Sequence, residues 1–79
     1  MTEITEFVAV PFDYANNGMV AGDPERCASP VAAVQRAQDL WKYFGHAGAM
    51  ALIRTTDFEI GIFDKKQILR RFGQAPCEY

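Results

Sequence analysis

Hydrophobic side chains first fall into a pattern over residues 7–14. Val8, Val10, Phe12 and Tyr14 recur at every second position, the period of a strand that turns one face to a core. Pro11 within this run has no amide to donate, so it points to an edge or a bulge. Asn16-Asn17-Gly18 follows, and Asn-Gly tolerates positive φ at both turn centres, a strong hairpin signal. Met19-Val20-Ala21 starts the returning strand. Gly22-Asp23-Pro24 interrupts it, and Glu25-Arg26-Cys27-Ala28 resumes it.

The period then changes to helical. Ala33, Val34, Ala37, Leu40, Trp41 and Phe44 recur at three- and four-residue spacing and form one apolar stripe. Ser29 is placed to cap the free amide donors, and Pro30 suits the first helical position. The predicted helix runs from Pro30 to about Phe44, where Gly45 supplies a left-handed stop. Residues 47–54 are apolar at nearly every position and predict a strand buried on both faces. A loop is expected over 56–66 and a last strand over 67–72, ended by Gly73 and Pro76.

The order β-β-α-β-β predicts an α+β domain, a four-stranded, mostly antiparallel sheet with one helix packed on one face. The domain would span residues 1–79, with an ordered core of about 5–74 and short tails. One helix is too narrow to cover both faces of four strands. Phe7, Ala9, Pro11, Ala49, Ala51, Ile53 and Leu69 are the candidates for the open side, depending on register. An apolar face of that kind marks an interface.

Composition supports the expectation of an interface. With 79 residues, 49% hydrophobic and 13% aromatic, the chain is too apolar for disorder. Its core is still small, since a domain of this size rarely gains more than about 3–5 kcal/mol from burial alone. Disulfides are a poor candidate for the missing support, because Cys27 and Cys77 are the two cysteines and secreted scaffolds carry a denser set. A metal is equally poor, because Cys27, Cys77 and His46 give three ligands at most, in no recognisable spacing. A partner subunit remains, and a homodimer is the expectation. Met1 to Glu6 lacks a basic or apolar leader, and the longest apolar stretch is 47–53. A reducing cytoplasm and no membrane span are therefore expected.

Net charge is −2, which argues against a general nucleic-acid binder. The charge is uneven, at −4 over residues 1–40 and +2 over 41–79. Arg54, Arg70 and Arg71, with Lys65 and Lys66, concentrate the bases. Paired arginines clamp phosphate or carboxylate, so Arg54, Arg70 and Arg71 are the candidate anion-binding set. Arg54 and Arg70 are expected as cross-strand neighbours.

Other candidates each meet a plainer alternative. His46, just past the helix, is either a general acid or base or a cap on the helix dipole. Cys27, two residues before the helix cap, is either an activated thiolate or a small buried side chain. Asp57, Glu59 and Asp64 around Gly61 are either cation ligands or a solvated loop, and Phe58, Ile60, Ile62 and Phe63 break any calcium-loop spacing. Those four apolar residues read as a lid over the core or as a docking knob. Glycine-rich phosphate loops, triad spacings and paired helical carboxylates are missing, so neither catalysis nor a cofactor is expected.

Several short motifs carry a family likeness. Gly18-x-Val20-x-Gly22-x-Pro24, Ser29, Ala47-Gly48-Ala49-x-Ala51, Arg54-Thr55-x-Asp57-x-x-x-Gly61 and Arg71-Phe72-Gly73 resemble a group of short uncharacterised alphaproteobacterial proteins across residues 7–76. Thr56 stands where that pattern has glycine. The resemblance implies a stand-alone bacterial domain and carries no chemistry. The sequence therefore leads to a small binding or self-association module, with an unidentified protein partner or a second copy. Its alternative is an anionic-ligand or nucleic-acid binder using the three arginines.

Overall fold

A computed structural model of the chain describes residues 3–16, 18–57 and 63–76. Strand β1 (Glu3–Ala15) is the centre of the sheet. Its alternating residues pair along one edge with β4 (Gly48–Asp57), from Glu3↔Asp57 to Phe12↔Gly48. On its other edge lie two short pieces, β2 (Gly18–Ala21) and β3 (Glu25–Cys27), which pair with Phe12 to Ala15 and with Phe7 to Ala9. Strand β5 (Phe63–Gly73) lies outside β4. All pairings are antiparallel, in the order β2-β1-β4-β5 with β3 beside β1. The described sheet therefore has five strands, two of them halves of one interrupted return. With those halves counted together the β-β-α-β-β order holds.

Pro11 explains the interruption. Its carbonyl accepts from Gly22 N at 2.8 Å, so its missing donor faces the same edge, where β2 ends and β3 has not begun. A central strand tolerates proline because its neighbour breaks at that point. Gly22 sits close against the ring, and a Cβ there would lie 3.0 Å from Pro11 Cγ.

Helix α1 (Pro30–Lys42) starts as its sequence demands. Ser29 Oγ accepts from Ala32 N at 3.0 Å, and Pro30 occupies the first turn. Tyr43 is the C-cap, and Gly45 takes φ 78° while His46 N donates back to Leu40 O. Phe44 falls beyond the cap and stays 60% exposed. The helix lies on the sheet through small side chains. Ala33 and Ala37 meet Ala9, Ala49 and Ala51, with Leu40 and Phe72 filling the cluster. Alanine against alanine lets the two backbones approach closely, and a methyl added there would overpack the contact.

Register overturns one expectation. Phe7, Ala9, Ala49, Ala51 and Leu69 belong to the cluster under α1, and Pro11 and Ile53 share their face by alternation. The face opposite the helix carries Val8, Val10, Phe12, Met50 and Leu52, with Met19 and Ile68 at its rim. These residues are not an open surface either, because Val8, Val10, Phe12, Met50 and Leu52 are at most 3% exposed. Ala75 packs on them, and Gly48 is required there because a Cβ would collide with the backbone of Gln74 and Ala75. Both faces of β1 and β4 are thus core.

The expected loop over 56–66 is also shorter than the sequence suggested. Thr56 and Asp57 end β4, and Phe63 to Lys66 begin β5, paired as Thr56↔Asp64 and Arg54↔Lys66. Residues 54–56 and 64–66 are polar or charged, so hydrophobic alternation fails to report this part of the ladder. A bulge sits between Ala51 and Leu52: Ala51 faces Arg70, Leu52 faces Ile68, and Leu69 is the extra residue.

Candidate functional site

Side-chain polarity collects at two ends of the sheet. On the face opposite α1, Glu6 of β1 stands between Arg26 of β3 and Arg54 of β4. Its carboxylate accepts from Arg54 Nη2 at 2.8 Å and from Arg26 Nη1 at 3.4 Å. The hydrogen bond from Arg54, then the charges of both arginines, hold the Glu6 carboxyl below its ordinary value against the opposing effect of burial. This is a tie across three strands made of complementary charges.

At the other end, Asp13 joins β1 to the turn after the helix. Its Oδ2 lies 2.8 Å from His46 Nδ1, and its Oδ1 accepts from Ala47 N at 3.3 Å. The hydrogen bond with His46 lowers the Asp13 carboxyl below its ordinary range. A carboxylate that orients an imidazole is one component of general-base machinery. Among the described residues, no nucleophile is shown bonded to this imidazole. The pair works as a latch that fixes the α1–β4 turn on β1.

Cys27 is half-buried against the helix-side cluster. Burial first, then the Glu25 carboxylate, pushes its thiol above the ordinary value. That is the opposite of activation by a helix N-terminus. Cys27 is a free cysteine, and Cys77 lies outside the described residues. Among the described residues no three His, Cys, Asp or Glu side chains gather as a metal site would require. The loop candidates Glu59 and Gly61, with Phe58, Ile60 and Ile62, lie outside the described residues. So do the side chains of Asp57, Phe63 and Asp64.

The three candidate arginines do not converge. Arg54 faces Glu6 and Lys66, whereas Arg70 faces Ala51, so the two are not cross-strand neighbours. Arg54 and Arg71 fall on the face away from α1, Arg71 opposite Met50. Arg70 falls on the helix face, its guanidinium 5.5 Å from the Phe72 ring. Phe72 in turn stacks on Trp41 at 5.9 Å and 23°.

That ladder of Arg70, Phe72 and Trp41 adjoins a surface groove. This groove of about 470 Å³ runs between α1 and β5, lined by Pro30, Val31, Val34, Gln35, Gln38, Leu69 and Arg70. Val31 is among the most exposed large apolar side chains of the described residues. Beside the groove lies the outer edge of β5, which among the described residues pairs with β4 alone. The sequence pattern concealed this groove, because Val31 lies outside the stripe that faces the sheet and Leu69 owes its position to the bulge. Asp13 and Glu6 were also hidden as partners. Only the register brings Asp13 to His46 across 33 residues and Glu6 to Arg54 across 48.

No helix among the described residues is long and apolar enough to cross a membrane. No family model, no curated protein and no solved structure matches the chain.

Proposed function

We propose that this chain is a small cytoplasmic binding module, without catalysis of its own, that works through the α1/β5 side of its sheet. The observation that carries the reading is β5 itself. It is an eleven-residue strand, paired on one side among the described residues and bordered by an apolar groove. Open backbone groups along a strand accept an extended segment, and an adjacent groove takes its alternate side chains. Self-association through a sheet face, by contrast, has little to work with, since both faces of β1 and β4 are already core. A homodimer would have to form at the strand edge.

Two measurements test the reading. Light scattering on the full chain across micromolar to millimolar concentration reports self-association. Selection of random seven-residue peptides on the immobilised chain reports capture of a segment. Enriched peptides should slow amide exchange along β5 and not along β2. A monomer that enriches no peptide sinks the proposal.

A further inference from the structure

The bases of β5 are arranged around an apolar centre. Lys65 and Lys66 precede Gln67, Ile68 and Leu69, and Arg70 and Arg71 follow. All four bases are exposed, while Ile68 and Leu69 are half-buried. Alternation distributes the charge to both faces of the strand. Lys65 and Arg70 lie on the helix side, opposite Thr55 and Ala51, and Lys66 and Arg71 on the other, opposite Arg54 and Met50. Lys65, Lys66 and Arg71 each hold an interaction within the chain. The strand still carries four bases against the single acid Asp64.

This pattern disfavours a second copy as the occupant at full overlap. Antiparallel pairing of β5 with itself, with the faces matched across the bulge, sets Lys65 against Arg70 or, two residues along, Lys66 against Arg71. In-register parallel pairing sets each base against itself. Like charges directly opposite destabilise a ladder. Beside a neutral strand the same bases would lose solvation without gaining a counter-charge, and the bulge at Leu69 interrupts the pairing register. A segment with acids at both ends and an apolar middle meets neither obstacle. Its carboxylates face a basic pair at each end, and its central side chains face Ile68, Leu69 and the Val31–Val34 wall of the groove.

We propose that the β5 edge docks an extended acidic peptide segment of another protein, laid beside Lys65 to Arg71 as a further strand. This rests on the binding-module reading above and adds the chemistry of the partner. The probe is a fluorescein-labelled peptide with two glutamates at each end of Val-Val-Leu. Its controls carry lysines in place of the glutamates, or proline at the centre. The full chain should bind the acidic peptide at least about ten-fold more tightly than either control. Affinity should fall again when salt is raised to about 0.3 M. Lys66→Glu with Arg70→Glu, both exposed and checked for fold by circular dichroism, should weaken it by a similar factor. Lys65→Glu alone should weaken it less.

Equal binding of the acidic and lysine peptides overturns the inference while leaving the binding module intact. Tighter binding of a ten-residue oligothymidine, or a chain dimer that the acidic peptide does not dissociate, overturns it in favour of nucleic acid or a second copy. If the chain is a monomer and no peptide of any charge binds, the inference and the module reading fall together.

Discussion

The two edges of the sheet are closed to other strands by different means. The β2/β3 edge is cut into pieces of four and three residues by Gly22-Asp23-Pro24, set against Pro11 of the strand it lines. No long template survives there. The β5 edge is an uninterrupted eleven-residue strand that carries four bases and one bulge. One edge is blocked by covalent geometry, which rejects every partner alike. The other is guarded by charge, which rejects some partners and attracts others. A surface able to discriminate suits the binding proposed above, so the contrast supports that reading of β5.

The largest way to break the contrast is to unseat β5. Gly73 ends that strand at φ 60°, and a Cβ there would collide with the Trp41 indole and the Ala47 carbonyl. Gly73→Val adds a strained left-handed residue to an overpacked contact and should cost about 2–4 kcal/mol. Chemical denaturation of the purified variant measures it, with loss of the Trp41–Phe72 stack visible in tryptophan fluorescence. A variant as stable as the parent would mean that the end of β5 is not held where the groove requires it.

The matching change on the other edge should be mild. Gly22 has an ordinary φ, and its added methyl would crowd the Pro11 ring, at 3.0 Å, and touch the Pro11 carbonyl oxygen at an ordinary 3.7 Å. Gly22→Ala should therefore cost less than about 1 kcal/mol in the same denaturation experiment. A loss as large as that of Gly73→Val would show that the β2/β3 break is a packed structural joint. The comparison of the edges would then need to be redrawn.

These edges also show what the sequence discloses. Ser29, Pro30 and Gly45 announce the helix because capping acts over three or four neighbouring residues. The broken return is legible for the same reason, since Pro11, Gly22 and Pro24 state their backbone limits locally. Which face of β1 meets the helix is not local. Phe7 and Ala9 are as apolar as Val8 and Val10, so both faces of the strand qualify, and the pairing with α1 decides between them. The ends of β4 and β5 stayed hidden because residues 54–56 and 64–66 are polar or charged and offer no apolar alternation. The groove was the least legible feature, because it depends on where a bulge places Leu69.

The smallest effect, and the one that separates the edges most finely, is acidification. Glu6 ties β3 to the sheet through Arg26 and also bonds Arg54. The carboxyl is held below its ordinary value of 4.5, chiefly by the Arg54 hydrogen bond. A depressed folded-state value means that the stabilisation is complete above about pH 4.5 and is lost as pH falls through the lower, folded value. Arg26 is highly exposed, so solvent screens its share and the effect stays small. Protection factors for β3 amides, corrected for intrinsic exchange, should therefore decline below about pH 4.5 while those of β5 hold. Glu6→Gln should flatten the β3 profile. Parallel loss along both strands would show that Glu6 secures the sheet as a whole, and the two edges would then share one electrostatic anchor.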